Sequence, residues 1–405
     1  MSSAKPTPLQ LRWQEQRVGM FCHFSINTFY GKEWSNGTLS PAAFNPTRLE
    51  ARQWVETAQA AGMRYLILTA KHHDGFCLWP TETTDYSVKA APYQGGRGDV
   101  VGEVARACQE AGLHFGLYLS PWDRHEPCYA DAKAYDNFYT RQLTELCTRY
   151  GPLFELWFDG AGSEGRVYDW ERIMEIADRY QQQAMIFNMG RPTIRWVGNE
   201  DGLAADPDPY VVDGRYLPPE CDVPIRQNWF WQADDGYTLK SLQHLLAIYY
   251  RSVGYGANLL LNVPPDNTGL LDAADCARLL EAAQTLRRRF ANPLPAALRQ
   301  EGATVFASFA APAVFDHLVL EEALEDGQQV DGYRVYAGER LIVQGQTIGC
   351  QKIDAFPRAE AVELRIELNR PEARLKGLTA YATGYEAIPA LDDPEIDEQR
   401  WARID

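Results

Sequence analysis

Six short apolar runs alternate with helical patterns over roughly the first 290 residues, and this rhythm is the strongest constraint on the fold. The runs cover residues 19–25, 64–70, 114–120, 153–160, 184–188 and 258–264. Because their apolar character is nearly continuous, each run predicts a strand buried on both faces, as in a parallel sheet. Strands and helices in turn over this length predict an α/β fold closed into a (β/α)8-like barrel. Residues 189–235 lack the rhythm, so one or two barrel units there are expected to be irregular.

The character of the sequence changes after the last helical pattern. Between residues 303 and 383, short β-rich segments are separated by Gly, Pro and charged turns. They predict a small C-terminal β-sandwich, and the boundary divides the chain into residues 1–295 and 296–405. This sandwich is either a carbohydrate-binding module or a structural support for the barrel. The lack of a clear aromatic cluster, such as paired Trp, favours the support.

Net charge and cysteine usage narrow the class of protein. The 405 residues carry a formal net charge of −16, whereas nucleic acids and anionic membranes are bound through clustered Lys and Arg. No apolar run has the form of a signal peptide or the length of a membrane span, so we expect a soluble, cytoplasmic protein. The eight cysteines are scattered without CxxC spacing, which is typical of reduced core residues.

Polar side chains follow most of the predicted strands. They are His23; Lys71, His72, His73 and Asp74; Tyr118, Ser120, Trp122 and Asp123; Trp157 and Asp159; and Asn188. The C-terminal ends of barrel strands surround one mouth, where barrel enzymes carry their active sites. The sequence therefore predicts a single polar site at that mouth.

The motifs around these strand ends resemble a known family. The segments "MFCHFS", "GKEWSNG", "KHHDGFCLWPTETTDYSV", "GLYLSPWD", "ELWFDGA" and "RWVGNEDG" are similar to those of glycoside hydrolase family 29, the retaining α-L-fucosidases. The segments "RWVGNE" and "PPECDVPIRQNWFW" are more similar to the branch that acts on α-1,3/1,4-linked fucose. The resemblance implies an exo-acting hydrolase that removes terminal fucose from oligosaccharides through a covalent glycosyl-enzyme intermediate, without a cofactor.

Retaining hydrolysis requires two carboxyl groups about 5–5.5 Å apart, a nucleophile and an acid/base. Asp159 is the predicted nucleophile, because a short side chain at a strand end is easily held in line with the anomeric carbon. The resemblance points to the same residue. It also implicates Glu200, on a loop, as the acid/base. Four other carboxylates compete for that role: Asp201, Asp206, Glu220 and Asp222.

The resemblance implies further residues that bind the sugar. Imidazoles can donate to and accept from hydroxyl groups, and indole or phenol rings offer apolar faces to the sugar ring and its methyl group. The predicted substrate-binding residues are His23, Glu33, Trp34, His72, His73, Tyr118, Trp157, Arg195 and Trp229. Because side chains alternate along a strand, His72 and His73 are expected to point to opposite sides. Asp123 and Arg195 either support the acid/base or contact the rest of the substrate.

Two alternatives belong to other functional classes. In a metal-dependent barrel hydrolase, His23, His72, His73 and Asp159 would hold zinc. The first strand lacks the HxH spacing that such enzymes tend to have, which counts against a metal site. The second alternative is a catalytically silent fucose-binding protein, which the presence of both carboxylates disfavours. Resistance to a chelator tests the first alternative, and turnover tests the second.

Overall fold

The computed structural model describes residues 4–392, and its larger part is a parallel barrel. The strands of this part are β1 (Val18–Cys22), β2 (Tyr65–Lys71), β3 (His114–Leu119), β4 (Glu155–Trp157), β5 (Met185–Phe187), β6 (Arg195–Trp196), β7 (Val211–Val212), β8 (Arg215–Tyr216), β9 (Pro219–Pro224) and β10 (Asn258–Asn262). Eight of them form one parallel sheet in the order β5-β4-β3-β2-β1-β10-β9-β6, and β7 and β8 form a separate hairpin. The predicted (β/α)8-like barrel is confirmed.

The barrel is nearly closed between its two edge strands. Phe187 forms a parallel bridge with Ile194, and the Thr193 amide donates to the Ile186 carbonyl at 2.9 Å. The chain runs from β5 to β6, and from β6 to β9, without an intervening α-helix. These connections are the irregular barrel units expected within residues 189–235.

Eight α-helices accompany the barrel among the described residues. They are α1 (Pro8–Gln14), α2 (Ile26–Tyr30), α3 (Ala51–Ala60), α4 (Val100–Ala111), α5 (Ala132–Arg149), α6 (Trp170–Tyr180), α7 (Leu242–Arg251) and α8 (Ala273–Arg289). Their ends follow local signals: the Asp99 carboxylate caps α4 at the Gly102 amide, and Gly112 ends it with a φ of 68°. Within residues 4–392, no helix combines the length and apolar character needed to cross a bilayer.

Both faces of the barrel strands are buried, which explains their continuous apolar sequence. On β2, Leu66 and Leu68 pack into the layer between strands and helices. Their neighbours Tyr65 and Ile67 point into the barrel interior. The interior is filled with large side chains, Trp157 among them, so it is a packed core that supports the site above it.

The C-terminal part is a seven-stranded antiparallel sheet. Its strands are β11 (Leu294–Pro295), β12 (Ala297–Glu301), β13 (Thr304–Glu322), β14 (Tyr333–Ala337), β15 (Arg340–Gly345), β16 (Lys352–Leu368) and β17 (Leu375–Tyr381). The register of the long pair β13 and β16 shifts between Ser308 and Ala313 and again between Phe315 and His317. Residues on both sides of these bulges share one core, which gives the predicted sandwich from a single bent sheet.

Buried polar contacts join the two parts. The Tyr250 hydroxyl on α7 lies 3.0 Å from Nε2 of His317, whose Nδ1 lies 2.8 Å from Asp316. On the other side, the Arg17 guanidinium donates to the Cys350 carbonyl at 2.9 Å. Strand β11, which has only two residues, belongs to the C-terminal sheet although it lies on the barrel side of the predicted boundary. Its position against the barrel flank suits a structural support, which stays a prediction.

Candidate active site

One pocket opens at the C-terminal ends of the barrel strands. Its volume is about 440 Å³. The lining residues are Phe21, His23, Glu33, Trp34, His72, His73, Tyr118, Trp157, Asp159, Gly160, Ala161, Glu164, Phe187, Asn188, Trp196, Glu200, Asp222 and Trp229. The structure therefore brings together every predicted site residue except Arg195.

Asp159 lies two residues beyond β4 and is held by two hydrogen bonds. The Tyr118 hydroxyl donates to Oδ2 at 2.9 Å, and the Ala161 amide donates to Oδ1 at 2.8 Å. The side chain keeps 25% of its surface exposed toward the pocket. A carboxylate fixed at both oxygens yet accessible is suited to attack a bound carbon atom.

His73 presents a lone pair to the pocket. Its Nδ1 lies 2.7 Å from the Ser120 hydroxyl, and that hydroxyl donates its only hydrogen to the Trp122 carbonyl at 2.7 Å. Nδ1 must therefore carry the ring proton, and Nε2 is left as an acceptor. Nε2 lies 3.6 Å from Asp159 Oδ2, which is too far for a hydrogen bond. Burial lowers the pKa of His73 to about 4, so the ring is neutral at physiological pH.

His23 is arranged in the same way. Asn262 donates from Nδ2 to the Trp229 carbonyl at 2.8 Å, which turns its Oδ1 toward His23 Nδ1 at 3.0 Å. His23 Nδ1 therefore carries the proton. Burial lowers the pKa of His23 to about 3 and that of His72 well below its ordinary value. Three neutral imidazoles give a pocket suited to hydroxyl groups rather than to an anion.

The expectation that His72 and His73 point to opposite sides is wrong, because both line the pocket. Their ring centroids are 4.1 Å apart. Strand β2 ends at Lys71, so the alternation of a strand no longer applies to the two histidines. The turn after them is held by Asp74, which accepts from the Phe76 amide at 2.8 Å.

Lys71 itself is buried below this turn. Its Nζ lies 2.9 Å from Oδ2 of Asp123, whose Oδ1 accepts from the amides of His125 and Glu126. This ion pair joins the end of β2 to the loop after β3. Asp123 therefore supports the frame of the pocket and is not among its lining residues.

Glu200 lies in the loop after β6, at the pocket mouth. The Trp229 indole N–H donates to Oε2 at 3.1 Å. The pKa of Glu200 is raised from its ordinary value, mainly by burial of the carboxyl group and further by the negative charge of Asp159. A carboxyl group that keeps its proton more readily, beside an ionised one, suits an acid/base.

Two of the competing carboxylates are engaged away from the pocket lining. Glu220 lies in the barrel interior, where it accepts from the Tyr65 hydroxyl at 2.7 Å and the Trp157 indole at 3.1 Å. Asp206 forms an ion pair with Lys352 at 2.6 Å. Neither lines the pocket.

Asp222 does line the pocket, together with Trp196, whose indole N–H donates to its Oδ1 at 2.6 Å. Sequence reasoning named Asp222 as a competing carboxylate only and did not find Trp196. The signal for both was weak, because β6 has only two residues and β9 carries two carboxylates within an apolar segment.

Glu33 and Trp34 reach the pocket from the loop after α2. Glu33 accepts from the backbone amides of Trp229 at 2.8 Å and Phe230 at 3.3 Å. Burial raises the pKa of Glu33 to about 8 despite these donors. The Trp34 ring stands edge-on to His73 at 5.3 Å. Glu33 therefore fixes the segment that carries Trp229.

Arg195 is the predicted site residue that the structure leaves outside the pocket. Its guanidinium forms an ion pair with Asp208 and donates to the Pro209 carbonyl at 3.2 Å. A direct contact between Arg195 and substrate stays a prediction. Among residues 4–392, no group of three or more His, Cys, Asp and Glu side chains is placed to hold a metal ion.

Paired carboxyl groups, neutral imidazoles and indole rings at the mouth of a parallel barrel define the class of a (β/α)8-type glycoside hydrolase. A sequence model of the family described as "Alpha-L-fucosidase" matches residues 1–289. The chain belongs to this family, glycoside hydrolase family 29.

Curated relatives are found in plants. The chain is 44% identical to alpha-L-fucosidase 1 of Arabidopsis thaliana over 71% of its own length and 62% of that protein. It is 38% identical to putative alpha-L-fucosidase 1 of Oryza sativa, over 91% of the chain and 83% of that protein. The chain thus spans less than two thirds of the Arabidopsis protein.

Solved structures have the same fold. A putative alpha-L-fucosidase from Bacteroides ovatus superposes with a TM-score of 0.89 at 36% identity, covering 97% of this chain and 76% of that one. A family 29 fucosidase of Ruminococcus gnavus, solved in complex with fucose, gives 0.84 at 28% identity, covering 94% and 95%.

Proposed function

We propose that the protein is a retaining exo-α-L-fucosidase that hydrolyses terminal α-1,3/1,4-linked fucose through a covalent glycosyl-enzyme intermediate. One observation carries the proposal. Asp159, fixed by Tyr118 and the Ala161 amide, shares a pocket with Glu200, whose raised pKa is due in part to the charge of Asp159.

The reaction follows from these two roles. The Asp159 carboxylate attacks the anomeric carbon while Glu200 gives its proton to the departing glycosidic oxygen, which breaks the bond to the rest of the glycan. Glu200, now ionised, then takes a proton from a water molecule. The hydroxide attacks the anomeric carbon, the ester bond to Asp159 breaks, and fucose leaves with its original configuration.

The pocket supports fucose as the sugar. Hydroxyl groups can donate to the Nε2 lone pairs of His23 and His73, and Phe21 and Trp229 offer apolar surface to the ring and methyl group. The pocket, with a volume of about 440 Å³, is large enough to hold a terminal fucose residue. The complex of the Ruminococcus gnavus relative with fucose supports the same ligand.

The linkage preference is the finer part of the proposal. It rests on the resemblance of "RWVGNE" and "PPECDVPIRQNWFW" to the α-1,3/1,4 branch. These segments supply Trp196, Glu200, Asp222 and Trp229 to the pocket, and the Trp229 indole contacts the proposed proton donor Glu200. The leaving group must pass the proton donor, so these residues are suited to discriminate between linkages.

The test is fucose release from a branched α-1,3/1,4-fucosylated trisaccharide, by wild type and Asp159→Asn, each with and without EDTA. We expect release by wild type regardless of EDTA, and a loss of more than about a thousandfold in Asp159→Asn. Asp169→Asn is the matched control, because Asp169 only caps α6 and Asn caps as well.

Each contrary result removes a defined part of the proposal. Loss of release with EDTA favours the metal-dependent alternative, and binding without turnover favours the silent fucose-binding protein. Faster release from α-1,2- or α-1,6-linked substrates removes the linkage preference alone. Proton NMR of the first anomer released distinguishes retention from inversion.

A further inference from the structure

Asp222 is a pocket carboxyl group that the mechanism above does not use. It lies within β9, is only 3% exposed, and lines the pocket that holds Asp159 and Glu200. Its Oδ1 accepts the indole N–H of Trp196 at 2.6 Å. A carboxyl group buried here needs either a positive partner or a proton.

No positive partner is present. Strand β10 places the apolar Leu260 in register beside Asp222, and β6 contributes the indole of Trp196. The ionisable groups that act on Asp222 are Glu200 and Glu220, both of which disfavour a further negative charge. Within residues 4–392, no Lys, Arg or His forms an ion pair with Asp222, and the nearby Arg195 is engaged by Asp208.

These surroundings favour the neutral acid. Burial, followed by the charges of Glu200 and Glu220, raises the pKa of Asp222 well above its ordinary value, and the Trp196 indole N–H and the backbone amide of Asp222 only partly oppose this. Because the indole occupies Oδ1, the proton belongs on Oδ2. The side chain is then a hydrogen-bond donor at the pocket wall.

Three of the other polar groups of the pocket offer acceptors, so a donor at this wall complements them. His23 and His73 present lone pairs, which accept from sugar hydroxyls, while Asp159 is engaged by its own two donors. A hydroxyl that donates to an imidazole can still accept a hydrogen bond from another group. We propose that Asp222 is a substrate-binding residue that acts as an un-ionised carboxylic acid and donates its O–H to an oxygen of the bound sugar.

This inference rests on the proposed function, and carboxamide substitution tests it. In Asp222→Asn, an amide N–H replaces the acid O–H at nearly the same position, whereas Asp222→Ala removes the donor. The probe is L-fucose, with binding followed by tryptophan fluorescence between about pH 5 and about pH 9. We expect Asp222→Asn to bind within about threefold of wild type and Asp222→Ala at least about tenfold more weakly.

The pH dependence of fucose binding separates a direct role from a structural one, because a purely structural role of Asp222 would not change it. In wild type, fucose binding should weaken as the pH rises and Asp222 loses its proton, and this weakening should be smaller in Asp222→Asn. Glu33 and Glu200 titrate in both proteins, so the difference between the two curves isolates Asp222. Circular dichroism checks that each variant has folded. If Asp222→Ala does not fold, the test rests on the comparison of Asp222→Asn with wild type.

Three outcomes would overturn the inference while the proposed fucosidase function stands. Equal weakening of Asp222→Asn and Asp222→Ala would show that the ionised carboxylate is the form that binds. Binding of fucose by Asp222→Ala as tight as that of wild type at every pH would show that Asp222 does not donate. Intact fucose binding with loss of turnover in Asp222→Asn would make Asp222 the proton donor in place of Glu200. Wild type that neither binds nor releases fucose removes the proposed function and this inference together.

Discussion

The two halves of the barrel are built differently, although both contribute to one pocket. Strands β1 to β4 are each followed by a helix, and this regular half carries Asp159 and the histidines. Strands β5, β6 and β9 have no α-helix between them, and this irregular half carries Glu200 and Asp222. A nucleophile needs a fixed direction of attack, whereas a proton donor needs a suitable pKa and access to the leaving group. The proposed nucleophile and the proposed proton donor therefore lie on different kinds of backbone.

In the irregular half, which lacks helices between its strands, buried ion pairs hold the loop after β9 in place. Arg226, 3% exposed, follows β9 and donates to Asp235 at 2.7 Å and Asp275 at 2.9 Å. It also lies 3.2 Å from Asp272, at the start of α8. These contacts anchor the segment that leads to Trp229, and through Trp229 they fix Glu200.

The largest expected effect comes from Glu200, the proposed proton donor in the irregular half. Glu200→Gln should reduce fucose release from the trisaccharide by about 10²–10⁴-fold, because the departing sugar oxygen needs a proton. With a nitrophenyl fucoside, the rate of the first step should fall less, since nitrophenolate can leave without receiving a proton. Initial rates on both substrates check this, and an equal loss on both would remove Glu200 from the acid role.

Breaking the ion pair below the regular half should cost stability. Lys71→Met leaves the buried Asp123 carboxylate without its cation, which should lower the free energy of unfolding by about 3–5 kcal/mol. Chemical denaturation measures the change. In the double variant Lys71→Met, Asp123→Asn, the amide oxygen can still accept the backbone amides, so part of the stability should return. Equal stability of the single and double variants would contradict this account.

A smaller effect is expected at Trp229, which contacts the proposed acid Glu200. Trp229→Phe removes the indole N–H that favours the ionised form of Glu200. It keeps the backbone amide at position 229, which donates a hydrogen bond to Glu33. The pKa of Glu200 should rise, so the alkaline limb of kcat/KM should move to higher pH by about half a unit to one unit. A pH profile measures this shift, and a limb that moves to lower pH would contradict the sign.

The smallest effect is expected at Arg195. Because its guanidinium is bound to Asp208 outside the pocket, Arg195→Met should change KM for a nitrophenyl fucoside by no more than about twofold. The same measurement with the trisaccharide tests the role that the sequence predicted. A KM raised only for the trisaccharide would place Arg195 in contact with the rest of the substrate.

The sequence predicted the regular half well, because its strands are long apolar runs with caps and Gly ends around them. Asp159 and the histidines follow directly from those strand ends. Strand β6 could not be predicted, since two residues carry no periodic signal and its pairing with β9 depends on distant residues. The side on which His73 lies depends on where β2 ends, and the position of Arg195 depends on its ion pair. Both are tertiary properties.

Trp13 sets the order in which the barrel interior can assemble. Its side chain belongs to the same buried cluster as Tyr118 and Trp157 in the pocket wall, and its indole donates to Glu155 at 3.0 Å. Its carbonyl accepts from Asn258, 245 residues later in the chain. Asn258 begins β10, the last barrel strand in the chain, so the interior below the pocket is completed only after that strand has been synthesised.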